Sequence, residues 1–369
     1  MRGAGGFQLA ATLLVLGAAL FIARFSWVLP DGSVPTPLTS EAERAFYDLR
    51  AYYAADLVDQ DPRIVLVVYT DQTLIAARKR SPLDRGLLAR ALRNLDGMGA
   101  KAIGIDILFD QPQDEDADLI ATLRAMQTPV AVAYANVATN QDDVVYEQQQ
   151  FLDAFQAELA GSRARAASIR LDNTFGATRV WPGIVESLPP LLGRVMLHDA
   201  GENAALFDGY EGAIDYRRPR FVDAPLFASL QIDLLADADP EVLGLLAEQI
   251  RGKYVLIGGD IVDYDRVETT FTSINGEVPP GLAVHAETIA QMLDGRRLAP
   301  VPPWMLWAMA VLVVLTAGLT ALLEWPTRRV APFAVALFAG FIGIPVVLQL
   351  RDVDTYGLPA VGWLVGWII

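Results

Sequence analysis

The stretches DPRIVLVVYTD (61–71) and GAKAIGIDILFD (99–110) decide the fold of this chain. In each, a short apolar run rich in β-branched residues leads to an aspartate, as is typical of a buried strand. Between them, residues 84–98 place leucines and alanines at helical spacing, and glycines 97 and 99 end that pattern. This strand–helix–strand alternation predicts an α/β fold, a mostly parallel sheet with helices on both faces.

Further elements extend this domain along the chain. In chain order they are helices at 41–53 and 116–126, a strand at 129–135, a helix at 224–235, a strand at 253–259 and a helix at 282–293. Residues 136–210 are less regular, and there we expect an insertion with its own hairpins.

Four uncharged apolar stretches flank the domain. One lies between Arg2 and Arg24, and three follow Arg297. A membrane-crossing helix needs roughly 20 residues; the first three stretches are long enough, but the last, 355–369, has only 15 residues. Lipid offers no partners for unpaired backbone groups, so a helix that starts here has to complete its crossing. We therefore expect the chain to be the front part of a longer protein.

These features divide the chain into six segments. They are a transmembrane anchor at 1–30, a linker at 31–44, an outer domain at 45–300, transmembrane helices at 301–323 and 330–350, and the start of a fourth at 356–369. The first stretch lacks a small-x-small cleavage site, which favours an anchor that is retained. Basic residues in short loops mark the cytoplasmic side. They predict an outer domain outside the cell and a last helix heading inward.

Composition excludes several classes of function. The chain has 29 Lys+Arg and 44 Asp+Glu, and all but five of the basic and three of the acidic residues lie within 31–300, which carries a net charge of −17. Nucleic-acid binders use basic patches, so an acidic domain argues against that class. The chain has no cysteine and two histidines, which excludes thiol catalysis and cysteine-bound metals. No catalytic motif and no metal site is predicted in these residues.

One group of polar residues is a candidate ligand pocket. Asp71, Asp106 and Asp110 follow or end predicted strands, and Arg85 opens the next helix. Ligands bind at the carboxyl edge of open α/β sheets, so we predict that the four residues gather there. Two interpretations stay open, a buried structural ion pair and a polar ligand pocket.

A second group is a candidate signal relay between the outer domain and the membrane. His285 lies beside the apolar face of the helix at 282–293, either as a structural histidine or as a pH or ligand contact. Pro300, Pro302 and Pro303 follow this helix, and they either stiffen the joint or mark the start of the next helix.

Four patches of the chain resemble a known family, the type-2 CHASE domain, an extracellular sensor associated with cyclases and histidine kinases. They are FYDLR (46–50), DPRIVLVVYTDQTL (61–74) with SPLDR (81–85), GAKAIGIDILFDQP (99–112), and RGKYVLIGGD (251–260) with PPGLAVHAETIAQMLDGRRL (279–298). Two positions depart from the family pattern. Ser81 stands where the family usually has Trp, and Gln72 where it often has Glu.

This resemblance implies a multi-pass receptor in the inner (cell) membrane of a bacterium, with residues 31–300 periplasmic or extracellular. Its output domain would follow Ile369 and would be an adenylate or guanylate cyclase, with a histidine kinase, a Ser/Thr kinase or a non-enzymatic receptor as alternatives. No cofactor is expected in this segment, whereas a downstream cyclase would need a divalent metal such as Mg²⁺. Partners would be membrane lipid, an unidentified small-molecule or protein signal, and a second copy of the chain.

Small residues in the apolar stretches also favour a homodimer, because they permit close approach of helices. They are Gly17, Ala18, Ala19, Ala317, Gly318, Gly340 and Gly343.

Overall fold

The protein is described from a computed structural model. It describes residues 2–29, 32–34, 36–78, 83–140, 144–221, 223–262, 266–322 and 327–369. Ser81, which departs from the family pattern, lies outside the described residues. The chain divides into two compact units. The sheet unit comprises Ala55–Thr269 and Glu277–Arg297, and the helical unit comprises Met1–Ala54, Thr270–Gly276 and Leu298–Ile369.

Both units contain helices and strands, and in the sheet unit the two alternate along much of the chain. The helices are α1 Arg2–Phe25, α2 Pro37–Ala54, α3 Asp71–Ala77, α4 Arg85–Met98, α5 Asp116–Ala125, α6 Tyr146–Glu158, α7 Leu192–Asp199, α8 Ile232–Asp237, α9 Pro240–Ile250, α10 Thr272–Asn275, α11 Gly281–Leu293, α12 Pro303–Leu322, α13 Thr327–Gln349 and α14 Ala360–Ile368. The strands are β1 Leu57–Val58, β2 Asp61–Thr70, β3 Ala102–Asp106, β4 Val130–Tyr134, β5 Ala164–Ser168, β6 Arg218–Pro219, β7 Phe227–Gln231, β8 Tyr254–Asp260, β9 Ala299–Pro300 and β10 Val353–Asp354.

A six-stranded sheet forms the centre of the sheet unit. Its order is β5-β4-β3-β8-β2-β7, and every neighbouring pair is parallel. The strand β8, which comes last in the chain among these six, lies between β2 and β3, so Thr70 pairs with Asp260 and Asp106 with Gly258. The predicted α/β fold with a parallel sheet is confirmed.

Helices cover both faces of this sheet, as predicted. On one face, α4 lies against the alternate residues Ile103 and Ile105 of β3, with α5 and α9 beside it in the same core. On the other face, α7 packs directly on Gly104, where an added Cβ would lie 2.5 Å from Met196 Sδ. Glycine at position 104 therefore sets how closely α7 can approach the sheet.

The prediction of hairpins at 136–210 is wrong. Instead α6 leads into β5, which pairs in parallel with β4 and extends the same sheet. The residues of β5, ARAAS, include no β-branched side chain, so local preference does not indicate a strand. Pairing along the open edge of β4 supplies the stabilisation that the side chains lack.

The prediction of one helix at 224–235 is also wrong. Residues 227–231 form β7, the edge strand beside β2, and the helix α8 begins only at Ile232. From Ala228 to Gln231 the side chains of β7 alternate between partly buried and exposed positions, as on a half-covered strand. The apolar residues of this short segment fit the spacing of a helix as well as that of a strand, and pairing with β2 makes it a strand.

Among the described residues of the helical unit, three helices are long and apolar enough to cross a membrane. They are Phe7–Phe25 within α1, Pro303–Leu322 as α12, and Arg328–Gln349 within α13. The fourth apolar stretch contributes α14, a helix of nine residues. The N-terminal and two C-terminal apolar helices agree with the predicted arrangement.

In the helical unit, α14 packs on α1 through glycines. An added Cβ at Gly362 would lie 2.5 Å from the carbonyl oxygen of Ile22, and one at Gly366 would lie 2.8 Å from that of Ala19. Ala19 and Ala23 are buried, so two small-xxx-small patterns meet. Among the residues proposed for dimer contacts, Ala19 is thus used within one copy, whereas Gly17, Gly318, Gly340 and Gly343 have no atom within 4 Å of an added Cβ.

Candidate sensing site

The carboxyl ends of the central strands bring most of the predicted pocket residues to one edge of the sheet. Asp106 ends β3, and Asp71 follows β2 directly as the first residue of α3. β8 lies between these two strands, so the strands are about 10 Å apart. Asp110 lies in the loop after β3, and Arg85 begins α4.

Arg85 is held as a buried structural cation. Its side chain has no exposed surface, forms an ion pair with Asp116 and donates from Nη2 to the carbonyl of Gln111 at 2.6 Å. The guanidinium carbon lies 5.2 Å from the ring centre of Phe109 and 5.7 Å from that of Phe151. Burial lowers its pKa to about 10, against the opposing effect of Asp110 and Glu115. These contacts fix the loop after β3 onto α4.

The three predicted aspartates have different partners. Asp110 accepts a hydrogen bond from the side-chain amide of Gln148 at 2.5 Å. Asp71 accepts one from the backbone N–H of Val262 at 3.2 Å. Asp106 Oδ2 lies 3.9 Å from Nε2 of His285. Of the four predicted residues, Arg85 and Asp110 interact electrostatically, while Asp71 and Asp106 contact neighbouring loops and α11. A shared ligand pocket stays a prediction.

His285 is a buried member of this edge. It is 5% exposed, and burial lowers its pKa to about 4, opposed by a hydrogen bond to the backbone of Ile169. The imidazole is therefore neutral at physiological pH. In this state it joins α11 to the end of β3 and to the loop that follows β5.

The predicted relay prolines lie after α11. Pro300 belongs to the short strand β9, which pairs in parallel with Val353–Asp354 of β10. Pro303 is the first residue of α12, where its fixed φ and missing N–H suit a helix start. The relay role of these residues stays a prediction.

A second charged cluster, missed in the sequence, lies at the opposite edge of the sheet, where β2 begins. We call it the basal charge network; its members are Asp61, Arg63, Asp215, Arg217, Glu287, Asp294 and Arg296. Arg217 is central, with Nη1 3.0 Å from Asp61 Oδ2 and Nε 3.0 Å from Glu287 Oε2. Arg63 connects Asp61 to Asp294, each at 2.7 Å. The network ties the last turns of α11 to the start of β2.

Burial gives the carboxylates of this network unequal proton affinities. Burial acts to raise the pKa of Asp61, but hydrogen bonds from Arg63 and Arg217 outweigh it and lower that pKa to about 2. Burial also raises the pKa of Glu287, to about 7, because the nearby Arg217 and Arg296 compensate only in part. The raised pKa of Glu287 therefore places the titration of this carboxyl near neutral pH.

Sequence reasoning missed this network because its members are spread over the chain. Arg217 lies in a stretch without regular pattern, more than 150 residues after Asp61. One signal was available. Glu287, Gln291 and Asp294 repeat at helical spacing within a helix otherwise rich in apolar residues, which indicates a polar stripe facing a partner.

No arrangement suited to a metal ion occurs in the part of the chain that the structure describes, since it holds no group of three or more His, Cys, Asp or Glu side chains so placed. The chemistry of both clusters is that of charge pairing and hydrogen bonding within the protein.

Comparison with known proteins agrees with this architecture. The model of the CHASE2 domain family matches residues 15–320, which cover the sheet unit together with parts of α1 and α12. Neither the curated proteins nor the solved structures compared with the chain include a match. The resemblance seen in the four sequence patches is thereby confirmed, and the chain belongs to the CHASE2 domain family.

Proposed function

We propose that this chain is the receptor part of a transmembrane signalling protein, in which the CHASE2 sensor regulates a nucleotide cyclase located after Ile369. One observation carries the proposal, the match to a family of extracellular sensor domains over residues 15–320. It is supported by the three apolar helices that flank the sensor in the chain.

The sensor is proposed to lie outside the inner membrane of a bacterium, in the periplasm. Arg2, Arg328 and Arg329 support this orientation, because basic residues in short loops favour the cytoplasmic side. The signal would be a small molecule or a protein recognised by the sheet unit. Asp71, Asp106 and Asp110 are its proposed contact region at the carboxyl edge, with Arg85 as the buried cation beside them.

A cyclase output would place a further demand on the assembly. Its active site would bind the triphosphate through metal ions held by carboxylates, with Mg²⁺ as the expected metal. Two subunits would complete that site, so we propose a homodimer. Gly17, Gly318, Gly340 and Gly343 support this, because none has a neighbour within 4 Å of an added Cβ in a single copy.

The experiment is to express the full-length protein, with whatever follows Ile369, in cells that lack their own nucleotide cyclases. Membranes are then supplied with ATP or GTP and Mg²⁺. We expect cyclic AMP or cyclic GMP to form. We also expect the variant Arg217→Met, which breaks the basal charge network, to change the rate while the protein remains in the membrane.

Two other outcomes would contradict the cyclase. Incorporation of phosphate into the protein or a substrate, without cyclic nucleotide, would assign a kinase. If neither cyclic nucleotide nor phosphorylated product forms, the protein would be assigned as a non-enzymatic receptor. The variant Arg220→Met is the matched control, because the partner of Arg220, Asp59, is 70% exposed and their charged atoms are 3.6 Å apart.

A further inference from the structure

The helix α2 occupies a special place in the chain, because it joins the first apolar helix to the sheet unit. It ends at Ala54, and the sheet unit begins at the next residue. The polar side chains that α2 buries include Glu43 and Arg50, which are 0% and 3% exposed. Charged side chains are rarely buried to this extent unless they are paired. The partners of these two side chains therefore identify the segments that α2 stabilises.

Glu43 caps the start of α14. Its carboxylate accepts hydrogen bonds from the backbone N–H groups of Val361 at 3.0 Å and Gly362 at 2.8 Å. These are the second and third residues of α14, whose N–H groups have no partner within their own helix. A carboxylate is also favoured there by the positive end of the helix dipole. The cap is supplied by another helix, more than 300 residues earlier in the chain.

Arg50 holds the residues that lead into α14. Its Nε donates to Thr355 Oγ1 at 3.1 Å, and its Nη2 donates to the carbonyl of Thr355 at 2.7 Å. One turn earlier in α2, the ring of Tyr47 packs edge-on against Tyr356, with centroids 5.3 Å apart. α2 therefore binds both the first turn of α14 and the loop before it.

The C-terminal part of α2 also contacts a segment that connects two elements of the sheet unit. Between β8 and α11 the chain leaves the sheet unit and passes through Thr270–Gly276 in the helical unit. There the ring of Phe271 packs edge-on against Tyr52 of α2, with centroids 5.2 Å apart. α2 thus has two links to the sheet unit, its own C-terminus and this segment.

We propose that α2 couples the sheet unit to α14, with Glu43 as the positioning residue that makes the first turn of α14 depend on α2. A displacement of α2 moves the carboxylate away from Val361 and Gly362 and loosens that turn. In the signalling role proposed above, which this inference extends, α14 is the segment nearest to any output after Ile369. This route runs through α2 and Phe271, whereas Pro300 reaches the residues before α14 through the pairing of β9 with β10.

The test measures amide hydrogen exchange at residues 358–366 in the full-length protein reconstituted in lipid nanodiscs. Three variants are compared with the wild type. Glu43→Gln removes the charge of the cap and keeps the shape of the side chain. Phe271→Leu weakens the contact with α2 at a residue outside α14. Glu41→Gln, an exposed position on α2, is the matched control.

We expect Glu43→Gln to speed exchange at Val361 and Gly362 by about tenfold, since a helix cap changes the opening equilibrium by about this factor. We expect Phe271→Leu to speed exchange at the same two amides, and Glu41→Gln to leave it unchanged. Unchanged exchange in Phe271→Leu, together with faster exchange in Glu43→Gln, would overturn the coupling and leave Glu43 as a local cap only. Unchanged exchange in Glu43→Gln would overturn the cap itself.

This readout needs neither the signal nor the output domain. The proposed cyclase can therefore fail while the coupling holds, and the coupling can fail while cyclic nucleotide is formed. Loss of the folded protein in Glu43→Gln would leave Phe271→Leu to decide the question.

Discussion

The most strongly held residue of the candidate pocket is Arg85, and its contacts are those of a structural cation. Breaking a buried ion pair leaves an uncompensated charge, whereas replacing both partners by apolar groups is often neutral. We therefore expect Arg85→Met to destabilise the folded protein by about 3 kcal/mol. The double variant Arg85→Met/Asp116→Leu should recover a large part of the loss.

Thermal unfolding of the detergent-solubilised protein measures this prediction. The control is Arg93→Met, on the same helix, whose pair with Asp118 is about half exposed on both sides; there we expect less than about 1 kcal/mol. A double variant that unfolds normally but no longer transmits a signal would instead favour a ligand role for Arg85.

Glu287 makes the stability of the sheet unit depend on pH near neutrality. Its pKa is raised from 4.5 to about 7 in the folded protein, so the folded state binds the proton more tightly than the unfolded chain. The stability from this group is fully present below pH 4.5 and is lost as the pH rises through 7. Asp61 does not affect the pH dependence near neutrality. Its pKa is lowered, so its contribution to the stability of the folded state is lost only in strong acid.

We expect the melting temperature of the wild type, relative to Glu287→Gln, to fall between pH 5 and pH 8, by the equivalent of about 1 to 3 kcal/mol. Thermal unfolding at several pH values measures it. Glu248→Gln, at an exposed position on α9, is the control and should follow the wild type. Parallel curves for wild type and Glu287→Gln would show that Glu287 keeps its charge throughout this range.

At the scale of elements, the contact between α14 and α1 depends on the absence of side chains at two positions. A Cβ at Gly362 would overlap Ser26 Oγ and would lie 2.5 Å from the carbonyl oxygen of Ile22. The backbone atom cannot move away without shifting α1. We therefore expect Gly362→Ala to destabilise the helical unit by about 1 to 3 kcal/mol, as overpacking does elsewhere.

Gly343→Ala is the matched control, since nothing lies within 4 Å of its added Cβ. Retention of a monodisperse, folded protein after heating in detergent compares the two variants. Equal retention would contradict close packing of α14 on α1. Greater loss in Gly343→Ala would point to a helix contact with a second copy at that face.

At the scale of the whole molecule, the charges of the short loops predict the orientation in the membrane. The 369 residues contain no cysteine, so an introduced one is the only reactive thiol among them. We expect Glu158→Cys, in α6, to react with a membrane-impermeant maleimide from outside intact cells. Thr327→Cys, at the start of α13, should react only after the membrane is opened. Strong labelling of Thr327→Cys in intact cells would reverse this topology.

The sequence alone determined the class of the fold and the centre of its sheet. Four strands, β2, β3, β4 and β8, are runs of consecutive apolar residues, as expected for strands buried on both faces. In the helices α4 and α11 the apolar residues recur at helical spacing. Such patterns are local, so they can be read without knowing the neighbours. The apolar helices and the family resemblance follow from the same kind of local information.

Three features were determined only by the tertiary structure. They are the strand conformation of β5 and β7, the ion pairs of the basal charge network, and the hydrogen bonds between α2 and α14. β5 and β7 are short and carry little local preference, so the neighbouring strand fixed their conformation. Arg217 with Asp61, and Glu43 with Gly362, join residues 156 and 319 positions apart. Nothing in the local sequence specifies such pairs, because they exist only when folding brings distant segments together and removes both partners from water.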